Sequence, residues 1–447
     1  MQSGVLRLAL RRREMPNGLL EDLNQRGRMV ACDGASMSLG IPIAMPRPLA
    51  VVMVGLPARG KTYIARKLAR YLDWTGYRAQ VFNVGNYRRE RFGAKVPASF
   101  FDPSNDAGLT SRKQAARVAM DDMLAWFEAG GQIGIYDATN STRARRKWVM
   151  GECESSGIDV LFIETLCSDP SIIAANIRDT KLLAPDYQGT DPEQAVADFR
   201  ARIAHYEEAY EPIDSDRMSF IKLIDVGARV EAQHVHGYIQ GRITQFVMNL
   251  HITPRTIWLT RHGESTANMA GVIGTDMPLT SRGASYAKAL AEFINSRPEP
   301  PGTIWTSTLQ RTIQTAAPLG RTTHQLKVLD EIDAGICDGM TYAQIEEQMP
   351  GDFARRKADK LSYRYPRGES YSDVISRLDP LILELERQQS PILIVCHNAI
   401  VRVLLGYLSD MKREDVPHTE IPLHSIISLT PRAYGCEVEF LPLLEED

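Results

Sequence analysis

The segment Gly55-Leu-Pro-Ala-Arg-Gly-Lys-Thr62 constrains what this chain can fold into more than any other stretch. It fits G-x-x-x-x-G-K-[ST], and its flanks supply the context such a loop needs. Ahead of it, Leu49 to Val54 is an unbroken apolar run bounded by Pro48 and Gly55, which predicts a buried strand. Behind it, Ile64, Leu68, Tyr71 and Leu72 share one face of a helix predicted over Lys61 to Leu72. A strand, glycine loop and helix in that order turn backbone N–H groups and a helix N-terminus toward phosphate oxygens. Gly55, Leu56, Pro57, Ala58, Arg59, Gly60, Lys61 and Thr62 are therefore candidates for a nucleotide cradle. In it Lys61 would reach the β and γ phosphates, and the Thr62 hydroxyl would face Mg²⁺.

Further apolar runs at Ile133 to Tyr136 and Val160 to Glu164 predict two more buried strands, with helical segments between them. Alternation of this kind is the pattern of a doubly wound parallel α/β sheet. It breaks near His251-Ile-Thr-Pro-Arg255 and then restarts. Thr256 to Thr260, Thr303 to Thr306 and Ile392 to Cys396 read as strands, and Gly283 to Ser296 and Val374 to Gln388 as helices. The expectation is an α/β protein of two domains, at 47–252 and 253–440. A weakly ordered arm over 1–46, rich in Arg, Gly, Ser and Met, and an acidic tail over 441–447 would flank them.

Asp137 ends the strand after Ile133-Gly-Ile-Tyr136, where a P-loop fold places its metal-linked acid. An acceptor is suggested by arginines: Arg88 and Arg89, then Arg143, Arg145 and Arg146, then Arg202 one helical turn before Tyr206 on a helix that Asp191-Pro192 would start. Guanidinium groups gathered beside a γ-phosphate point to an acceptor that is itself phosphorylated.

The second half carries a different chemistry. The predicted strand ending at Thr260 runs into Arg261-His-Gly-Glu264, and the one ending at Cys396 runs into His397-Asn398. Histidines at the carboxyl ends of strands share a crevice, and an unprotonated imidazole can attack phosphorus. Arg261 and Arg311 would neutralise the equatorial oxygens. An acid must protonate the leaving oxygen. Asp330, Glu331 and Asp333, in Leu329-Asp-Glu-Ile-Asp-Ala-Gly335, are all candidates by spacing. The other seven histidines, His205, His234, His236, His251, His324, His418 and His424, read as surface or hydrogen-bonded core residues. A zinc site at the histidine pair lacks a third ligand at suitable spacing.

The formal net charge is −3, from 52 basic and 55 acidic side chains, which argues against a nucleic-acid binder. Six dispersed cysteines with no C-x-x-C pair suit a reducing compartment, and no apolar run is long enough to span a bilayer. A cytoplasmic location follows as the expectation.

Read together, these motifs resemble the bifunctional 6-phosphofructo-2-kinase/fructose-2,6-bisphosphatase family. The matching stretches are G-L-P-A-R-G-K-T from Gly55, N-V-G-N-Y-R-R from Asn83, D-A-T-N-S-T-R-A-R-R from Asp137 and I-A-A-N-I from Ile173. They continue with R-H-G-E-S from Arg261, R-T-I-Q-T from Arg311, E-I-D-A-G from Glu331, Y-R-Y-P-R-G-E-S-Y from Tyr363 and P-L-H from Pro422. The resemblance implies an ATP- and Mg²⁺-dependent kinase acting on the 2-hydroxyl of fructose 6-phosphate. It also implies a histidine-phosphatase (phosphoglycerate-mutase-like) domain removing that phosphate from fructose 2,6-bisphosphate.

By that similarity Asp137 and Cys167 are catalytic in the kinase, Asn176 and Lys181 contact ATP, and Arg88, Arg112, Thr139, Arg145, Arg202 and Tyr206 hold the sugar phosphate. In the second domain His262 takes the phosphate, Glu331 donates the proton and His397 stabilises the transferred group. Arg261, Asn268, Gly274, Arg311, Tyr342, Arg356, Lys360, Tyr371, Asn398 and Arg402 bind the bisphosphate. Asn398 stands where the family usually has glutamine, and Val272 where arginine is common. A homodimer is expected. A chain in which one site is active and the other only binds a regulatory ligand is the alternative.

Overall fold

Two six-stranded sheets organise the chain. This computed structural model describes residues 47–178, 185–187, 189–214, 217–225, 227–251, 254–409, 411–432 and 435–444. The arm expected over 1–46, Lys181 and residues 445–447 of the acidic tail lie outside the described residues.

The first sheet holds β1 (Leu49–Val54), β2 (Ala79–Asn83), β3 (Ile133–Asp137), β4 (Asp159–Leu166), β5 (Phe220–Ile224) and β6 (Arg229–Gln233), in the order β2-β3-β1-β4-β5-β6. β1 is buried at every position because helices cover both faces of a parallel sheet. Its side chains alternate: Leu49, Val51 and Met53 pack with Ile64 and Leu68 of the helix Lys61–Trp74. Ala50, Val52 and Val54 pack with Ala119, Met120 and Met123 of the helix Asp106–Glu128. β1 lies between β3 and β4, so the chain reverses its direction of travel across the sheet there, and the crevice beyond the strand ends opens at that point.

The second sheet holds β7 (Ile257–Arg261), β8 (Thr303–Thr306), β9 (His324–Gln325), β10 (Ile392–Cys396), β11 (Ser425–Arg432) and β12 (Gly435–Pro442), in the order β12-β11-β7-β10-β8-β9. β7, β10 and β8 are parallel neighbours, so the residues following each emerge side by side.

Both sheets are mixed rather than wholly parallel. β6 runs antiparallel to β5, and β11 antiparallel to both β7 and β12. The connection from Ile224 to Arg229 is too short for the crossover that a parallel pair needs. β12 extends to Pro442, into the segment expected as tail.

The junction near Pro254 is a packed interface. Trp74 meets Tyr407 edge-on at 5.4 Å. The buried Lys67 Nζ donates to Glu386 Oε1 at 2.7 Å, and Tyr71 Oη donates to Asp379 Oδ1 at 2.8 Å. Among the described residues no helix is long and apolar enough to cross a membrane.

Candidate active sites

The loop after β1 is shaped by backbone conformations that few residues adopt. Gly55 has φ +135°, and a Cβ there would lie 2.5 Å from the Thr165 carbonyl oxygen. Gly60, at φ +79°, starts the helix Lys61–Trp74 with no side-chain cap, which leaves its first N–H groups open to an anion. Ala58 also takes a positive φ, +58°, a strain of about 1–3 kcal/mol that loops gripping a ligand commonly carry. Neighbours over-determine it: Asn176 Nδ2 donates to the Ala58 carbonyl at 3.1 Å, and Gly55 N to that of Thr139 at 2.9 Å. Lys61 Nζ donates to the Leu56 carbonyl at 2.6 Å, so its ammonium lies over its own loop. Asp137 is buried at the end of β3 and accepts from Asn83 Nδ2.

Pro57 to Thr62, Asp137, Thr139 and Asn176 line one cavity of about 1730 Å³, and so do Arg88, Arg112, Arg145, Arg202 and Tyr206. That volume exceeds the usual 300–1,000 Å³ of a single-ligand site. The arginines are held in three ways. Arg145 donates to Tyr136 Oη at 2.8 Å and lies 4.2 Å over Trp148, with burial pulling its pKa down. Arg112 donates to the carbonyls of Phe101 and Asp102 at 3.0 and 3.1 Å. Arg88 and Arg89 both pair with Asp186, and Arg202 comes within 4.0 Å of the same carboxylate.

Arg143 and Arg146, grouped with these by sequence, serve the fold instead. Arg143 pairs with Asp214 on the surface, and the buried Arg146 donates to the carbonyls of Asn140 and Pro212. Cys167 is not part of the cavity wall; burial pushes its thiol pKa up, the opposite of an activated thiolate. Among the described residues no three His, Cys, Asp or Glu side chains form a metal cluster. Asp137 and Thr62 supply one carboxylate and one hydroxyl, a donor set that suits Mg²⁺ completed by phosphate and water oxygens.

At the second sheet, β7 delivers Arg261 and His262, β10 delivers His397, and β8 delivers Ser307. The two imidazoles stand 5.2 Å apart, centroid to centroid. His262 Nδ1 is 2.7 Å from the Gly263 carbonyl, which can only accept, so Nδ1 carries the proton and Nε2 the lone pair. Burial first, and then Arg311, pushes the His262 pKa down to about 3, so the ring is neutral at ordinary pH. His397 is fully buried, with Nε2 2.8 Å from Ser307 Oγ and a pKa far below the usual range through burial and the adjacent His262.

Cations surround the pair, and carbonyl or phenol oxygens orient them. Arg261 donates to the Ile421 carbonyl at 2.9 Å, Arg311 to Thr275 at 2.6 Å, and Arg402 to Thr419 at 2.5 Å and to Tyr371 Oη at 3.1 Å. Arg356 donates to the Tyr365 and Tyr342 hydroxyls at 2.9 Å each, and Lys360 to the Pro417 carbonyl at 2.6 Å. These hydrogen-bond partners are neutral; Asp276, 3.8 Å from Arg311, and Glu331 offset part of the positive charge, and the rest is left for a polyanion. His397 Nδ1, Asn398 Oδ1, Arg261 Nε and Thr275 Oγ1 are buried without a hydrogen-bond partner among the described residues, as expected where a polar ligand completes the site.

A sequence model described as 6-phosphofructo-2-kinase matches residues 40–254, and one described as histidine phosphatase superfamily (branch 1) matches 257–442. A 6-phosphofructo-2-kinase/fructose-2,6-bisphosphatase of Gallus gallus is 48% identical over 396 residues, covering 88% of this chain and 84% of that one. Form 4 from Homo sapiens matches at 48% with the same coverage. The Arabidopsis thaliana relative is 45% identical over 440 residues, 96% of this chain and 59% of its own length. The chain belongs to the 6-phosphofructo-2-kinase/fructose-2,6-bisphosphatase family.

Within this family frame, the three carboxylates left open by spacing have distinct surroundings. Glu331 Oε1 accepts from Ala399 N at 3.2 Å, two residues beyond His397, and its charge acts on Arg261 and Arg311. Asp330 is taken by the N–H and hydroxyl of Thr308, and Asp333 by the N–H of Gly335. Gly274, at φ +71°, lies so close to Asp338 that a Cβ would meet Oδ1 at 1.5 Å. Asn268 caps its own helix by accepting from Ser265 N and Oγ, both at 2.9 Å. Val272 forms an isolated antiparallel bridge with Thr341.

Sequence reasoning missed Asn83, Trp148 and Asp186 in the kinase half. In the phosphatase half it missed Ser307 and Thr315, whose Oγ1 accepts from Gly263 N at 3.0 Å. Asn83 and Ser307 directly end or follow strands neighbouring the catalytic ones, which was the available signal.

Proposed function

We propose that this chain both makes and degrades fructose 2,6-bisphosphate. The N-terminal half transfers the γ-phosphoryl group of ATP to the 2-hydroxyl of fructose 6-phosphate, and the C-terminal half hydrolyses that phosphate through a phosphohistidine. The observation that carries the reading is a neutral imidazole, held by its Nδ1–H and ringed by cations that hydrogen-bond mainly to neutral oxygens, in the same chain as a P-loop whose cavity also gathers arginines.

In the kinase half the backbone N–H groups around Lys61, with Asn176 and Lys181, would hold the nucleotide. Arg88, Arg112, Thr139, Arg145, Arg202 and Tyr206 would hold the sugar phosphate. Asp137, held by Asn83 in the wall of the P-loop cavity, would orient the attacking hydroxyl. Thr62 and Asp137 would hold Mg²⁺, which would supply positive charge to the nucleotide phosphates.

In the phosphatase half His262 Nε2 would attack the 2-phosphate, forming an N–P bond as the P–O bond to the sugar breaks. Glu331 would give its proton to the departing sugar oxygen, then take one from the water that cleaves the N–P bond. Arg261, Arg311 and His397 would hold the phosphoryl oxygens, and Asn268, Gly274, Tyr342, Arg356, Lys360, Tyr371, Asn398 and Arg402 the remainder of the bisphosphate. Asn398 keeps an amide with one methylene less reach than glutamine, and Val272 leaves one charge fewer; both would bear on bisphosphate binding more than on the chemistry. A domain division near Pro254 and a cytoplasmic homodimer belong to the same reading.

Paired variants test it. Lys61→Ala is expected to abolish bisphosphate synthesis and spare hydrolysis, and His262→Ala the reverse. Loss of both activities in either folded variant, or absence of one activity in the parent protein, would overturn the two-site reading.

A further inference from the structure

His424 stands one residue before β11, is 6% exposed, and holds a left-handed backbone at φ +59°. Its Nε2 accepts from the Glu264 N–H at 3.2 Å; because a backbone amide can only donate, this nitrogen carries a lone pair. The peptide unit that donates is the one joining Gly263 to Glu264. The carbonyl of that same unit accepts the Nδ1–H of His262 at 2.7 Å. One rigid amide therefore stands between two imidazoles: His262 Nδ1–H to the Gly263 oxygen, and the Glu264 N–H to His424 Nε2.

The surrounding loop is fixed on every side. His262 N donates to the Cys396 carbonyl at 3.0 Å, Gly263 N to Thr315 Oγ1 at 3.0 Å, and Ser265 N to Asn268 Oδ1 at 2.9 Å. Gly283 approaches so closely that a Cβ on it would lie 2.1 Å from the Glu264 oxygen. Of these four acceptors, His424 is the one that can lose its lone pair by titration.

We propose that His424 is a positioning residue for the phosphatase reaction, acting on His262 through the 263–264 peptide group. An acceptor on the N–H side makes the amide carbonyl a stronger acceptor, because hydrogen bonds in series polarise one another. That carbonyl fixes the His262 tautomer and rotamer and stabilises positive charge building on the ring as Nε2 bonds to phosphorus. The arrangement follows the logic of a nucleophile oriented by a third group, with a peptide bond in place of direct contact.

The groups facing His424 set its protonation. Burial first, and then Arg282 from the helix Ser281–Asn295, disfavour the cation; Glu264 favours it, Arg261 from β7 disfavours it, and the Tyr286 ring packs at 5.2 Å. Burial and the arginines together hold the pKa below the usual imidazole range, so the neutral acceptor form prevails at ordinary pH. Protonated His424 would point N–H at N–H and release the amide.

This proposal rests on His262 being the phosphate acceptor. The test is rapid-quench measurement of His262 phosphorylation by fructose 2,6-bisphosphate labelled at the 2-phosphate, with kinase rate as the control for folding. His424→Phe keeps a ring but no acceptor. His424→Gln keeps an acceptor oxygen at about the reach of Nε2.

The Phe variant is expected to be phosphorylated about tenfold more slowly, the scale of one lost hydrogen bond, with KM and kinase rate within twofold of the parent. The Gln variant is expected to recover most of the rate and to lose the acid limb that His424 contributes. Parental labelling by the Phe variant, equal losses in Phe and Gln, or an effect on KM alone would overturn the proposal. Absence of labelling in the parent protein would instead overturn the phosphohistidine reading beneath it.

Discussion

Arg88, Arg89 and Arg202 crowd around one carboxylate, Asp186, whereas Arg261, Arg311 and Arg402 are oriented mainly by carbonyl oxygens. A phosphate entering the first cluster displaces an ion pair; one entering the second meets charge already exposed. Lys360 belongs to the second kind. Burial, then Arg402 and Arg356, pushes its pKa down to about 8. It is charged below that pH and neutral above it, so kcat/KM for bisphosphate hydrolysis should fall as pH rises through about 8. Lys360→Arg, which stays charged, should flatten that fall, and parallel pH profiles of the two proteins check it.

Glu331→Gln keeps the shape but removes the proton, and should slow hydrolysis by about 10²–10⁴ while leaving synthesis intact. Asp330→Asn, at a carboxylate bonded to Thr308, should leave the hydrolytic rate within a few-fold of the parent. Side-by-side assays of the two variants decide between these carboxylates. The sequence showed three acids within four positions but not their partners, because the Ala399 and Thr308 groups that separate them come from β10 and β8 ends far away in the chain. His424 was hidden for the same reason: its one telling contact is to an amide 160 residues earlier.

The helices Lys61–Trp74 and Tyr371–Arg387 each begin at a different active site and meet across the interface. Lys67 and Glu386, both fully buried, join them, with Tyr407 donating to the same carboxylate at 2.7 Å. Lys67→Met removes the nearer of the two cations on Glu386, leaving Arg255 at 3.8 Å, and should lower unfolding free energy by up to about 3–5 kcal/mol. Lys67→Met with Glu386→Met leaves the buried Arg255 with carbonyl partners alone and should regain only part of that loss, as urea denaturation would show.

Continuous apolar runs made β1, β3, β8 and β10 legible, since strands covered on both faces need nothing else. The pairs β5–β6 and β11–β12 were not, because β6 and β12 are largely exposed edge strands without such a run. Their antiparallel pairing is what makes both sheets mixed.

At the scale of the whole molecule, the glycine loop and the R-H-G segment already placed two phosphate sites on two sheets. What the sequence did not reveal is that the halves share a core, with Trp74 against Tyr407 and Tyr71 tied to Asp379, so each site stands on a framework that includes part of the other half. On the proposed function, one phosphoryl group passes through both sites in turn, added at the first and lifted off at the second. Tracing ³²P from the γ-position of ATP in the intact protein, with fructose 6-phosphate present, tests this most directly. Label should reach an acid-labile phosphohistidine at residue 262 only when the sugar phosphate is supplied, and should not reach it in Lys61→Ala, although that variant still takes label from preformed bisphosphate. Label on the protein without sugar phosphate, or release of labelled inorganic phosphate with none ever found on His262, would contradict it.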